Sequence, residues 1–375
     1  MKIGILTQPL SSNYGGIIQN YALQTFLMRE GHDVHTIERR SSDQPALRFG
    51  SVIKRGLIKF ISRKDIVLRV WPTKKELAVI NQNTDRFIKD HIIQTETFHK
   101  KKFDLLKKYS FDAYIVGSDQ VWRPKYSPCL TNYFLDFLDG NNEVKKIAYA
   151  ASFGVDDWEY TPEQTKICSS LAKQFNAISV REDSAVELCK KHFGVEATHV
   201  LDPSMLLTKE DYIHLIKEDN IPERENILFN YILDQTEKKN TFIQKAADAF
   251  KIQSVSGMPP NKIYWKKNKK DLSDCVYHPV TEWLAGFKDA KLVVTDSFHG
   301  CVFSILFNKP FIVFSNELRG NARLNSLLKM FNLEGRLYKE MDADSKLLYM
   351  DYSDVNRILE KERKKSIAFL LDALE

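Results

Sequence analysis

An alternation that runs through the chain twice limits this sequence most: short apolar stretches stop at clusters of Gly, Asp or Ser, and stretches of helical period follow them. Lys2–Thr7 reads as a buried strand, Asn13-Tyr14-Gly15-Gly16 as a turn, Ile17–Gly31 as a helix and Val34–Ile37 as the next strand. Ala113–Val116, Lys146–Ser152, Ala177–Val180 and His199–Leu201 continue the strands, and Pro162–Phe175 reads as a helix between two of them. The pattern then starts afresh. Asn226–Tyr231, Ile252–Val255, Lys291–Thr295 and Phe311–Phe314 are strands; Lys238–Phe250, Val280–Phe287 and Cys301–Leu306 are helices. Strand–helix alternation of this kind builds parallel sheets covered on both faces. The predicted fold class is therefore α/β with two domains, whose strand ends would face each other across a cleft.

Length agrees, since 375 residues exceed what one ordinary core organises. Twenty-three Phe and fifteen Tyr supply bulk for two cores. No stretch of about 18 uncharged apolar residues occurs, so no span is expected. The opening MKIGILTQPL lacks the pattern of a secretory signal. The five scattered cysteines form no CxxC or Cys/His cluster, which argues against disulfides and structural zinc. A reduced, cytoplasmic protein with no metal and no cofactor is the expectation. The seven basic residues and one acid of Arg48–Trp71 carry a net +6, equal to the formal charge of the whole chain. Basic residues interleaved with apolar ones in one segment, instead of lining an aromatic sheet, argue against nucleic-acid binding.

Four clusters at strand ends carry candidate chemistry, and each has two readings. Gly15 and Gly16 either let backbone amides approach a ligand at a helix start, or serve a tight turn. In Gly117-Ser118-Asp119-Gln120-Val121-Trp122, Ser118 and Asp119 either recognise sugar hydroxyls or cap a short helix. Arg181 either grips a carboxylate or phosphate bidentately, or pairs with Glu182 at a helix start. Asp296-Ser297-Phe298-His299-Gly300 places a histidine in a strand-to-helix loop, where its ring either exchanges a proton in the cleft or is structural.

In order and spacing, NYGG, GSDQVW, SVRE, the Asp202-Pro203 pair and SFHG resemble the polysaccharide pyruvyl transferase family, from Lys2 to about Leu333. The GSDQVW form points to one branch of it. The resemblance implies a GT-B-like pair of Rossmann-like domains. Residues 1–205, with a helical insertion at about 48–108, would form the acceptor side, and 206–350 the donor side. Residues 351–375 would form a helix packing back on the first domain. The implied activity moves pyruvate from phosphoenolpyruvate to a sugar of a surface polysaccharide precursor, forming a ketal. A nucleotide-sugar GT-B glycosyltransferase and a non-catalytic glycan-binding protein are the rival readings.

On that reading His299 transfers the proton. Arg181, Ser297, Arg319 and Arg323 hold the donor, and Asn13, Tyr14, Gly15, Gly16, Ser118 and Asp119 meet the acceptor. Ketal-forming members carry an arginine two residues before the motif histidine. Ser297 stands there in this chain, which makes Arg319 and Arg323 the substitutes. The family context also implies a lipid-linked acceptor, and with it peripheral contact of residues 48–71 with anionic membrane at its inner face.

Overall fold

The computed structural model describes residues 1–40, 72–99, 103–127, 129–263, 271–339 and 345–375. The basic stretch 48–71 lies outside the described residues. Among the described residues the chain forms two parallel sheets, each with helices packed on it. The first has six strands in the order β2-β1-β5-β6-β7-β8, with β1 Lys2–Leu6, β2 Asp33–Thr36, β5 Ala113–Val116, β6 Lys145–Ala151, β7 Ala177–Val180 and β8 Thr198–His199. A two-stranded pair, β3 Arg39–Arg40 with β4 Phe98–His99, lies beside it. The second sheet has four strands in the order β10-β9-β11-β12, with β9 Ile227–Tyr231, β10 Gln253–Ser256, β11 Ala290–Thr295 and β12 Phe311–Val313.

Both sheets reverse direction at an interior strand, and those reversals locate the site. In the first, β1 pairs with β2 on one side and β5 on the other. In the second, β9 stands between β10 and β11. The crossovers leave each sheet on opposite faces there, so a crevice opens at the carboxyl ends of the two strands. The continuous apolar runs that form these strands follow from burial on both faces: Ile3, Ile5, Ile115, Leu228, Val293 and Val294 are all fully buried.

Helix α1, Tyr14–Arg29, is buried along most of its length. It begins earlier than the sequence suggests, because Asn13 is its N-cap and Gly15 and Gly16 already lie in its first turn. The Asn13–Gly16 stretch is therefore a helix start and not a separate turn. Helices α2 Lys74–Ile80 and α3 Gln82–His91 follow the segment outside the described residues. Thr73 caps α2 with a reciprocal bond to Glu76. Helices α4 Pro162–Ala172 and α5 Asp183–Leu188 accompany the later strands of the first sheet, while α6 Lys209–Glu218 follows β8 and packs against Val280–Asp289 of the second half.

The second sheet carries α7 Glu237–Phe250, α8 Val280–Asp289, α9 Phe298–Leu306 and α10 Ala322–Met330. His299 was expected in a loop; it is the second residue of α9, whose N-cap is Ser297. The closing helix α11, Ser353–Leu374, returns to the first sheet's side, where Arg363 Nε donates to Met205 O (2.7 Å) and Ser366 Oγ accepts from Leu201 N (2.9 Å). One apolar core runs through both halves. At its seam Tyr14 stacks on Trp283, with centroids 5.1 Å apart and planes 10° from parallel.

Candidate active site

The two crevices converge on one cavity of about 270 Å³. From the first half it is lined by Asn13 and Asp119, at the ends of β1 and β5. From the second come Ser297, Phe298 and His299 after β11, and Arg319 and Arg323 after β12. Arg319 ends a single 3-10 turn and Arg323 sits in the first turn of α10, so neither lies in the open loop that the sequence suggested.

His299 is held between the halves. Its Nε2 faces Asp202 Oδ2 at 3.6 Å, and its Nδ1 lies against Gly15. A β-carbon on Gly15 would stand 2.0 Å from that Nδ1, so only glycine leaves room for the ring. Gly300 is required in the same way, since a β-carbon there would meet Thr295 Oγ1 at 2.1 Å.

Asp202 gathers the buried charges beneath the cavity. It accepts from Arg181 Nη1 (2.7 Å), Ser118 Oγ (3.2 Å), Ser204 N (3.0 Å) and Ser204 Oγ (2.6 Å). Burial alone would raise its pKa. The nearby His299 and Arg181, with the hydrogen bonds from Arg181 and Ser204, instead hold it well below the usual carboxylate range.

Arg181 also faces Asp119 Oδ1 at 3.6 Å, and its guanidinium lies 4.6 Å from the Phe298 ring centroid. Arg323 approaches the same ring at 5.9 Å and faces Asp119 at 3.9 Å. Burial and the like charge of Arg181 together pull Arg323 down to about 10. It is a cation in a site that disfavours its charge, which is the state an incoming anion relieves. Its Nε is buried without a hydrogen-bond partner. Arg319 is bound to Asp234 (Nε to Oδ2 2.5 Å), while its carbonyl accepts from Arg123 and Arg323.

The cavity thus brings together Asn13, Asp119, Ser297, His299, Arg319 and Arg323. Arg181 and Ser118 lie behind Asp119 and Phe298, with Arg181 3% and Ser118 0% exposed. Arg181 faces Asp202 and Asp119, and does not pair with Glu182 at a helix start as one reading had it. Tyr14 sits in the seam, donating to His278 O (2.9 Å), and Gly16 packs on the Asn13 side chain. Asp202, Phe298 and Asp234 went unassigned in the sequence reading. Only Asp202 had a signal, as an acid before proline just past a strand. Glu182 was read only as a partner for Arg181; it is buried and accepts from Ser152 Oγ, and burial raises its pKa. Among the described residues no three His, Cys, Asp or Glu side chains converge as a metal would need.

The polysaccharide pyruvyl transferase family matches this sequence over residues 13–317, which takes in every strand of the cavity's two crevices except β1. The chain belongs to the polysaccharide pyruvyl transferase family. No curated protein matches it. Similar solved structures include a glycosyltransferase from Rickettsia africae (11% identity, 98% of this chain and 93% of that chain, TM-score 0.47). Two others are an α-glucosyltransferase in complex with UDP (11%, 99% and 95%, 0.48) and the UDP-GlcNAc 2-epimerase from Neisseria meningitidis bound to UDP-GlcNAc (11%, 99% and 100%, 0.46). The family makes the chain a transferase of polysaccharide synthesis. Its two parallel sheets around a cleft are the α/β architecture expected from the sequence, and among the described residues no helix is long and apolar enough to cross a membrane.

Proposed function

We propose that this transferase uses phosphoenolpyruvate as donor and forms a pyruvate ketal on two hydroxyls of a sugar in a surface polysaccharide precursor. The observation that carries this reading is the pairing of buried, charge-strained Arg323 with His299 in one 270 Å³ cavity. A donor with a carboxylate and a phosphate needs cations, and an enol carbon needs an acid.

In this reading Arg323 and Arg319 hold the donor's anionic groups, with Ser297 at the open start of α9. His299, held by Asp202 at Nε2, gives a proton from Nδ1 to the methylene carbon. A sugar hydroxyl adds to the neighbouring carbon, and its proton returns to the imidazole. The carbon–oxygen bond to phosphate then breaks, with phosphate keeping the electron pair. A second hydroxyl closes the ring and its proton leaves with phosphate. Asn13 and Asp119 orient the acceptor on the opposite wall, with Ser118 supporting Asp119 from beneath. Arg181 aligns Asp202 and Asp119. No cofactor enters the scheme. The acceptor is lipid-linked in this proposal, and residues 48–71 bring the enzyme to anionic membrane at its cytoplasmic face.

Phosphoenolpyruvate at 100 times its dissociation constant should raise stability by about 2.7 kcal/mol. Phosphate release with lipid-linked sugars should follow. A shift with UDP-sugars and none with phosphoenolpyruvate would overturn the reading. Vesicle co-sedimentation that Lys54→Glu, Arg55→Glu and Lys59→Glu together leave unchanged would remove the membrane contact.

A further inference from the structure

A second cavity, of about 440 Å³, adjoins the first. Leu233 lines both, and Ser12, next to Asn13 of the first cavity, lines the second. The dividing wall is built: Leu233 N donates to Asp296 Oδ1 (2.7 Å), and Leu233 O accepts from Lys262 (3.3 Å). The second cavity lies between α2 and the carboxyl ends of β9 and β10, so the segment before the third helix forms one side of it.

The two linings differ in chemistry. Where the first holds Arg319, Arg323, Asp119 and Asp296, the described residues of the second include no Asp, Glu or Arg. Its polar groups are mostly carboxamides (Asn81, Asn230, Gln235, Asn240 and Asn261), with the single cation Lys262 and the hydroxyls of Ser12, Ser256 and Tyr277. Apolar walls come from Ile80, Met258, Pro259 and Ile263. Asn81 is 6% exposed; its Nδ2 donates to Ser11 Oγ (3.1 Å), but its Oδ1 is buried without a partner. A buried acceptor left open is costly unless a donor arrives.

We propose that this cavity is the subsite for an uncharged sugar unit of the acceptor, which carries a hydroxyl past Leu233 into the anionic-donor cavity. The inference rests on the pyruvyl-transfer reading, and it moves part of acceptor recognition onto α2 and the second sheet. Carboxamides both donate to and accept from hydroxyls, and the apolar wall covers the C–H face of a pyranose. The cavity's size lies within the range of about 300–1,000 Å³ typical of small-molecule sites. Among its described lining residues the one charge, Lys262, donates to Leu233 O, so carboxamides dominate the polar surface a ligand would meet.

The test is saturation-transfer NMR with methyl glycosides of glucose, galactose, mannose and N-acetylglucosamine at millimolar concentration. Phosphoenolpyruvate binding is measured in parallel by calorimetry. At least one glycoside should bind wild-type protein. Asn81→Leu, which removes the open acceptor, and Asn240→Trp, which fills the cavity from its exposed rim, should each weaken that binding at least tenfold. Phosphoenolpyruvate affinity should stay within twofold in both. Arg323→Ala should show the reverse pattern. If no glycoside binds, if both cavity variants bind as wild type, or if UDP binds and is displaced by Asn240→Trp, the assignment is overturned. Absence of phosphoenolpyruvate binding to wild type, with glycoside binding intact, would defeat the donor reading and leave the sugar subsite standing.

Discussion

Gly15, in the first turn of α1, and His299, in the first turn of α9, touch so closely that a β-carbon on the glycine would overlap the imidazole at 2.0 Å. The imidazole of one half is thus seated by the backbone of the other. Gly15→Ala tests the relationship. Helix propensity favours alanine by about 1 kcal/mol, yet overpacking costs about 1–3 kcal/mol. Folding stability should therefore change little or fall modestly, while turnover should fall at least tenfold because the ring must move. Turnover equal to wild type would show that the seat is not needed.

His299→Ala should lower kcat by about 10²–10⁴-fold with donor affinity nearly unchanged, the pattern of a group that acts in the chemical step and not in binding. Steady-state kinetics alongside donor calorimetry separate the two. A loss confined to KM would make His299 a binding residue.

The two buried arginines beside Phe298 should respond in opposite ways. Arg181 joins Asp202, Ser118 and Asp119 and lies over Phe298, so a lysine cannot span its contacts. Arg181→Lys should cost about 1–3 kcal/mol of stability in urea unfolding. Arg323 carries a charge that its surroundings disfavour. Arg323→Met should leave the unliganded protein as stable or more stable by about 1 kcal/mol, and abolish stabilisation by phosphoenolpyruvate. If Arg323→Met still binds the donor, the anion site lies elsewhere.

Asp202 should contribute to the acid limit of the fold. In the folded protein its pKa is depressed, whereas in the unfolded chain it returns to about 3.9. As pH falls below about 4 the unfolded chain takes up a proton that the folded one refuses, so the stability Asp202 confers is complete above that pH and lost below it. Urea midpoints measured from pH 5 to pH 3 should therefore fall more steeply for wild type than for Asp202→Asn, although the variant starts lower. Parallel slopes would mean that other carboxylates set the limit.

The sequence reveals the sheets readily, because parallel strands buried on both faces read as unbroken apolar runs such as Lys291–Thr295 against the observed β11. It also places Asn13, Asp119, Ser297 and His299 at strand ends, where a crevice forms. What it cannot show is which side chains at those ends point into the cavity. Arg181 and Arg323 read alike as cations after strands, yet one lies behind Phe298 and the other in front. Only the rotation between β7 and α5, and that of α10, decides this. Helix starts were read late at both Tyr14 and Phe298 because glycines near a helix N-terminus look like turns. Gly15 makes room for His299, which lies far along the chain and is a cause no local window contains, whereas Gly300 makes room for Thr295 only five residues before it.

The Tyr14–Trp283 stack, with Gly15 beside His299, has a consequence for protein engineering. Each half of the chain carries part of the other's fit, so exchanging the carboxyl-terminal half for that of another member of the family would misseat the imidazole unless residues 13–16 travelled with it. A chimera joined near residue 206 that keeps its own Tyr14 and Gly15 inherits activity only from donors whose equivalents of Trp283 and His299 fit those two positions. Acceptor range in this fold is therefore more readily changed by grafting cavity-lining residues than by shuffling halves.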